Sequence, residues 1–412
     1  MINKAIVIGG GPAGMIAAGT LAKSIKKVIL IEKNKFLGKK LRITGKGRCN
    51  ITNNADIEDF IANVPTNSRF LYSAFYSFTN QDIINLLNNL GVETKVERGE
   101  RVFPVSDSAK DVADALKKYA LQKNVELINC EVLDILVENS TVTGVKTTKG
   151  KMDADAVILA TGGKSYPLTG SDGKGYRIAE KLGHTIITPK PSLIPILTHE
   201  KWVSDLMGLS LKNIEISVFN QKGKKIYTDF GEMLFTHFGI SGPVVLSASA
   251  HMKNIEKENY KISIDLKPAL DSEKLDKRIC RDFEEFKNKH LINALDELLP
   301  KALIPVIIKL SEIDPHKSVN SITKEERLTL LKNIKELTLS AKAFRPIDEA
   351  IITSGGIKVS EINPSTMESK IVSDLYFAGE IIDVDAYTGG FNLQIAYSTG
   401  YLAAQSIIES NI

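Results

Sequence analysis

The stretch that most constrains this chain is Ala5-Ile6-Val7-Ile8-Gly9-Gly10-Gly11-Pro12-Ala13-Gly14. Its apolar start predicts a buried parallel strand, because helices cover both faces of such a strand. The run passes straight into Gly9-x-Gly11-x-x-Gly14 and then into a small-residue helix, Met15 to Ala22. Gly9 permits the tight turn, Gly11 lets backbone approach a pyrophosphate, and Gly14 lets helix lie close on strand. The helix start offers unpaired N–H groups and partial positive charge to phosphates. A second strand, Lys27 to Ile31, closes on Glu32, 18 residues past Gly14. At that offset a carboxylate takes the hydroxyls of an adenosine ribose, which favours FAD or NAD over NADP. A lone glycine pattern is a weak signal; strand, turn, helix, strand and acid in this order are a strong one.

At 412 residues, the length allows two or three domains. A 43% apolar and 25% charged composition is that of a globular chain. The net charge of +4 is mild and gives no argument for nucleic acid or membrane surfaces. No apolar run approaches the roughly 18 residues a bilayer span needs. The N-terminus enters a strand at once with no small-residue cleavage site, so a cytoplasmic location is expected. Cys49, Cys130 and Cys280 are scattered and form no CxxC pair, and the six histidines form no HxH or HExxH pattern. Neither a disulfide framework nor a metal site is expected.

The segment Phe36 to Asn53 is rich in glycine and cations. Gly45 and Gly47 allow positive φ, Lys39, Lys40 and Arg48 can face phosphate, and Thr44, Asn50, Thr52 and Asn53 add small polar groups. Its position just after the dinucleotide unit favours cofactor contact over a solvated basic loop. Residues 56–124 read as helical, with core-facing stripes at Ile83, Leu86, Leu87, Leu90 and at Ala109, Val112, Ala113, Leu116. Val125 to Thr148 reads as strands with a turn at Glu138-Asn139-Ser140. Asp155 to Gly163 is a second buried strand ending in glycines, and Ser171 to Leu182 a helix ended by Gly183.

The texture changes at Pro189-Lys190-Pro191. Alternation at Ile214, Ile216, Val218 and again at Tyr260, Ile262, Ile264 predicts an antiparallel sheet or small barrel. Gly231 to Pro243 reads as a loop feeding a helix, Val244 to His251. Ser272 to Glu336 is helical throughout, with a capping box at Thr323-Lys324-Glu325-Glu326. The α/β texture returns at Thr353-Ser354-Gly355-Gly356-Ile357, and Leu375 to Glu380 is another buried strand ending in glycine and acid. Thr388 to Gln394 then leads into a small-residue helix, Ile395 to Ile408. The expected fold class is therefore α/β: a discontinuous Rossmann-like domain with an inserted antiparallel β-barrel that carries a nested helical subdomain. The expected ranges are 1–189 and 353–412 for the nucleotide domain, 190–270 and 337–352 for the barrel, and 271–336 for the helices.

Glycine-ended strands at both ends of the chain suggest one extended cofactor. The set Gly9 to Glu32, Thr161-Gly162-Gly163 and Phe377-Ala378-Gly379-Glu380 resembles the two-dinucleotide-binding-domain flavoproteins. Three finer signatures, Ile43 to Asn50, Phe235 to Pro243 and Gly389 to Gln394, resemble one bacterial family of NAD(P)/FAD-dependent oxidoreductases. That family includes aminoacetone oxidase and a dehydro-bile-acid reductase. The resemblance spans nearly the whole chain; Lys46 departs from it, standing where a third glycine is expected.

The resemblance implies FAD with adenosine near Glu32 and pyrophosphate over Gly11 and Gly14, with Gly9, Pro12 and Ala13 also among the cofactor contacts. It extends the contact set to Lys33, Lys40, Val132, Ala160, Thr161 and Gly162. Thr44, Gly45, Gly47, Arg48, Cys49 and Asn50 would lie along pyrophosphate and ribitol, with Gly379, Glu380 and Asp383. Gly389, Gly390, Asn392, Leu393 and Gln394, at a helix start, would face the isoalloxazine, where N–H groups and the helix dipole favour reduced flavin's negative charge.

His237 is the one candidate catalytic side chain, for substrate binding or proton transfer; a loop histidine held by backbone is the alternative. Cys49 fits packing or flavin contact better than thiol chemistry. Tyr387 fits either a flavin cover or a packing role. Gly170 to Gly175 lacks the spacing of a nicotinamide fold, so any NAD(P)H is expected to bind transiently from solution, and an oxidase using dioxygen is equally compatible. The leading expectation is hydride transfer between flavin and a small organic substrate. An RNA-modifying flavoprotein, the competing reading, predicts a strongly basic face with aromatic stacking; a flavin-bound protein without turnover is the third. No nucleic acid or membrane partner is expected.

Overall fold

The computed structural model describes residues 1–252 and 254–411. Lys253, in the expected barrel range, and Ile412, at the end of the closing segment, lie outside the described residues. The chain forms two compact units, one of residues 1–192 and 346–412, the other of residues 193–345.

The first unit is organised on a five-stranded sheet in the order Leu375–Phe377, Ala156–Leu159, Lys4–Ile8, Lys27–Glu32, Val125–Asn129. All four pairings are parallel, and the opening strand sits at the centre. That position explains its unbroken apolar run: Ala5, Ile6 and Val7 are fully buried. The strand from the far end of the chain, Leu375–Phe377, pairs with Ala156–Leu159, so both chain ends build one sheet. They also meet just before the central strand begins, where Ile2 N–H donates to Asn411 Oδ1 at 2.6 Å and Asn411 Nδ2 donates to Ile2 O at 2.9 Å.

Two helices follow the same logic. Pro12–Leu21 begins directly after the glycine turn with proline in its first turn, where the missing N–H costs nothing. Phe391–Glu409 closes the chain and is buried along most of its length. The two pack so closely that a Cβ on Gly400 would sit 2.4 Å from Ala13 O. Beside the sheet lie an antiparallel meander of Val132–Glu138, Thr141–Thr147 and Gly150–Asp153, and a small sheet of Thr52–Asn53, Arg101–Pro104 and Thr94–Glu97.

The second unit is a closed six-stranded barrel: Ile196–Thr198, Gly239–Ser241, Lys225–Phe235, Ser210–Phe219, Lys261–Asp265 and Leu337–Phe344. Closure removes the exposed edges an open sheet would carry. Helices Ser272–Glu285, Ile304–Leu310 and Lys324–Lys335 contribute Leu275, Ile279, Ile307 and Leu330 to the same apolar cluster as the barrel's Ile216 and Ile264. The helical segment therefore shares the barrel's core. Thr323 and Glu326 cap its last helix reciprocally.

Several sequence expectations are corrected here. The helical reading of 56–124 overlooks the hairpin Thr94–Glu97 and Arg101–Pro104. Short four-residue strands turned by Arg98-Gly99-Glu100 are below the length at which alternation outweighs flanking helical stripes. Residues 190–192 and 346–352 belong to the nucleotide unit, because strand Ile186–Ser192 pairs with Ile352–Ile357. The expected loop Gly231 to Pro243 is the end of one barrel strand, a turn, and a short return strand. The closing helix starts at Phe391, four residues earlier than expected.

Gly400→Ala is expected to cost about 1–3 kcal/mol, the range for overpacking a closed contact, read as a lower urea midpoint.

Candidate functional site: a cradle at the carboxyl ends of the parallel strands

The opening glycines are shaped by contacts that exclude side chains. Gly9 has φ 107°, and a Cβ on it would lie 2.4 Å from Ala160 O; on Gly14 it would lie 1.9 Å from Gly9 O. At Gly11 a Cβ would meet nothing within 4 Å, which leaves its backbone open to the crevice. No side chain caps the helix that follows, and its first turn carries no acid. Uncapped N–H groups beside an open glycine form an anion cradle.

Glu32 stands at the end of the second strand. Its Oε2 accepts from Gly10 N–H at 2.7 Å and its Oε1 from Asn34 N–H and Nδ2, each at 2.8 Å. Lys33 pairs with Asp172 at 2.9 Å. Val132 begins the meander's first strand. Ala160 N–H continues the ladder to Ile8 O at 2.9 Å, and Gly162 turns at φ 75°. Thr161 Oγ1 is buried with no hydrogen-bond partner.

Gly379 reaches the crossing of the two long helices, where a Cβ would be 3.0 Å from the Ala13 Cβ. Glu380 ties distant segments together: Oε2 accepts from Lys40 Nζ at 2.7 Å, and Oε1 from Thr353 N–H at 2.8 Å and Ser165 Oγ at 3.0 Å. The Lys40 charge, expected to face phosphate, is thus paired with Glu380.

Leu41–Gly47 is a tight turn broken at Thr44, Gly45 and Lys46. Lys46 adopts φ 58°, the left-handed region its missing glycine would favour, and Cys49 adopts φ 61°. Arg48 holds Glu97 at 2.5 Å and Asp107 at 2.6 Å and lies 4.2 Å from the Phe103 ring centroid. Those bonds, to Glu97 first, raise the guanidinium pKa, and the Arg48 bond in turn lowers that of Glu97. Arg48 is therefore engaged in closing this loop on the small sheet. Asn50 Oδ1 is a buried acceptor with no partner. Cys49 is fully buried, and burial pushes its thiol up to about 12, which excludes thiolate chemistry at neutral pH.

At the closing helix, Gly389 and Gly390 have φ 132° and 103°. A Cβ on Gly390 would lie 2.3 Å from the Thr52 carbonyl carbon. The helix start is uncapped by any side chain. The polar side chains nearby hold the turn in place. Asn392 bonds Ala386 N–H at 2.9 Å and Ala386 O at 2.6 Å. Gln394 is buried and bonds Thr52 Oγ1 at 2.8 Å, Phe78 O and Ser398 Oγ at 3.0 Å each. Leu393 is half-buried. Asn53, which the sequence placed on the cofactor, spans two turns: Nδ2 donates to Gly389 O and to Gly99 O, each at 3.0 Å.

Asp383 is buried and accepts from Asn67 Nδ2 at 3.0 Å. Burial raises its pKa, the Asn67 bond opposes this, and neighbouring Asp385 adds to it. Asp385 itself accepts from Ser192 Oγ at 2.9 Å and Ser354 Oγ at 3.0 Å. Tyr387 is half-buried, and burial raises its phenol. His237 belongs to the barrel unit, exposed at the turn between Lys225–Phe235 and Gly239–Ser241, with its ring against Phe238.

The nucleotide-binding positions the sequence suggested all lie in the first unit. The groups that suit FAD are an open Gly11, uncapped helix starts at both ends of the chain, and the orphaned Asn50 and Thr161 oxygens. An elongated dinucleotide supplies the anion and the donors that these lack. Fold and site define an FAD-dependent oxidoreductase. The chain belongs to the family described as HI0933-like protein Rossmann domain, which it matches over residues 3–406.

Among relatives, a 3-dehydro-bile acid delta(4,6)-reductase of Clostridium scindens is 30% identical, over 99% of this chain and 100% of that one. A ribosomal RNA dihydrouridine synthase of Escherichia coli is also 30% identical, over 98% of each. Among solved structures, 3-ketosteroid delta1-dehydrogenase from Sterolibacterium denitrificans shares the fold with a TM-score of 0.53 at 13% identity, covering 99% of this chain and 100% of that one.

Two outcomes test the site. Gly390→Val, whose side chain would enter the Thr52 backbone, is expected to yield protein that does not retain FAD; a tightly bound yellow variant would refute the placement. Asp383→Asn is expected to be more stable than wild type at pH 8 and equal to it near pH 4. The reason is that a raised folded-state pKa loses stability as pH climbs from about 3.9 through the folded value. Paired thermal midpoints at the two pH values check this.

Proposed function

We propose that this enzyme reduces a carbon–carbon double bond conjugated to a carbonyl, using a small organic substrate and taking electrons from NAD(P)H that visits from solution. The observation that carries this reading is what two full-length relatives have in common. A 3-oxo steroid with delta-4,6 unsaturation and the C5=C6 bond of uracil are both alkenes conjugated to a carbonyl. In each, two electrons and a proton arrive as hydride at the carbon remote from the carbonyl, and a second proton arrives at the adjacent carbon.

Bound flavin supplies the hydride-transfer chemistry. The chain holds the cofactor through Gly9, Gly11, Pro12, Ala13 and Gly14 at the pyrophosphate and Glu32 and Lys33 at the adenosine. Val132, Ala160, Thr161 and Gly162 line the same end. Thr44, Gly45, Gly47, Cys49 and Asn50, with Gly379 and Asp383, run along the middle. Lys40, Glu380 and Arg48 keep that middle closed. The backbone N–H groups from Gly390 to Leu393 stabilise negative charge at the ring end, while Asn392 and Gln394 fix that turn. His237 stays in this reading as a candidate for substrate contact or proton transfer.

The shared chemistry leaves two substrate sources, a free small molecule or a uridine within RNA. The relatives favour neither, and the +4 net charge supports the first. The experiment is anaerobic: the FAD-loaded enzyme is bleached with NADH or NADPH, then mixed with acceptors. Conjugated enones or uridine-bearing RNA are expected to restore the flavin absorbance, and isolated alkenes are not. Reoxidation by dioxygen alone would overturn the reading in favour of an oxidase.

A further inference from the structure

The small sheet beside the cradle carries a cation, Arg101, that no carboxylate among the described residues neutralises. In its register Asn53 stands opposite Arg101, and Arg101 opposite Glu97. Residues directly opposite across antiparallel strands project from the same face. That face adjoins the Gly389 turn, which the reading above assigns to the flavin, because Asn53 Nδ2 lies 3.0 Å from Gly389 O. It is also the face closed by the basic loop, since a Cβ on Gly45 would lie 3.5 Å from the Phe103 ring.

The cations here are not equivalent. Arg48 is neutralised by Glu97 and Asp107, and Lys95 by Asp107 at 2.9 Å. Arg101 is half-buried, and its Nε donates to Arg98 O at 2.9 Å. Its guanidinium carbon lies 5.8 Å from the Phe103 centroid. Among the described residues no carboxylate pairs with it; Glu97, its neighbour across the strand, is committed to Arg48. A partly desolvated guanidinium without a counter-ion is unfavourable, and the two terminal nitrogens present a fork that fits a carboxylate or phosphate.

We propose that Arg101 anchors an anionic oxygen group of the substrate at the flavin end of the cradle. This rests on the conjugated-carbonyl reading above and adds to it a second recognition element: a carbonyl-conjugated alkene at the flavin and an oxyanion on the guanidinium. A carboxylic acid and a phosphate ester present the same chemistry to the fork.

The test uses the full-length FAD-loaded protein and two ligand pairs: a 3-oxo-delta-4 steroid carboxylic acid with its methyl ester, and uridine 5′-monophosphate with uridine. Binding is read from the perturbation of flavin absorbance. Wild type is expected to bind the charged member of one pair roughly tenfold or more tightly than its neutral partner, and which pair does so separates the two sources. Arg101→Gln should abolish that preference while leaving the neutral ligand's affinity unchanged, and Arg101→Lys should keep part of it. If Arg101→Gln fails to hold FAD, Arg101→Lys and the loss of preference at high salt in wild type decide.

Equal binding of charged and neutral members by wild type overturns the anchor alone, as does a preference that survives in Arg101→Gln or one that salt leaves intact. Failure of all four ligands to bind overturns the anchor together with the substrate class.

Discussion

The contact on which the nucleotide unit depends is backbone against backbone at one crossing. The opening helix meets the closing helix where Gly400 faces Ala13 O, and Gly379 arrives at the same place. Below it Gly14 lies on Gly9 O. Any side chain at these positions would separate layers that must touch. Dispersion and backbone dipoles act at such short range that a one-carbon gap forfeits them. The crossing puts an uncapped helix start from each end of the chain on one crevice. A discontinuous domain therefore works as a single binding unit, because its two halves are joined through glycine rather than through adjacency in sequence.

Around that crossing, buried polar side chains fix where the loops stand. Glu380 collects Lys40, Ser165 and Thr353, three segments far apart in the chain. Gln394 collects Thr52, Phe78 and Ser398. Asn53 joins the Gly389 turn to the Gly99 turn. Each of these groups is satisfied by several partners, the condition under which a buried polar network specifies one arrangement. Loosening any of them would displace the cradle's walls.

This division of labour explains what was legible in the sequence. The glycines could be read, because a turn, a close approach and a helix start each impose a steric rule at a fixed spacing. Even Lys46 was legible as a departure, and it occupies the left-handed conformation that a glycine would have taken freely. The polar residues were located but their partners were not. Arg48 belongs to the right loop, yet its charge goes to Glu97 and Asp107, on and just after a hairpin whose short strands gave too little alternation to be read. Gln394 and Asn392 sit at the expected turn and serve it as braces. Such pairings are set by tertiary geometry, which spacing along a chain does not encode. The domain edges slipped for a related reason: strand Ile186–Ser192 carries two prolines and finds its partner only at Ile352–Ile357.

The same division bears on how one fold serves relatives with differently named activities. Lys40, Arg48 and Lys33 near the cradle are paired with carboxylates within the chain, and the cradle also presents backbone N–H groups, glycine surfaces and two small polar oxygens. Those features suit phosphates and a flavin ring and say nothing about a substrate. The hairpin beside Gly389 lies outside that set and can change without disturbing the glycine crossing. Beside the hairpin, two arginines flank the ring of Phe103: Arg48 is committed to carboxylates, and Arg101, among the described residues, to none. On the reading proposed above, one guanidinium builds the wall and the other, with no carboxylate partner among the described residues, is left to meet the substrate.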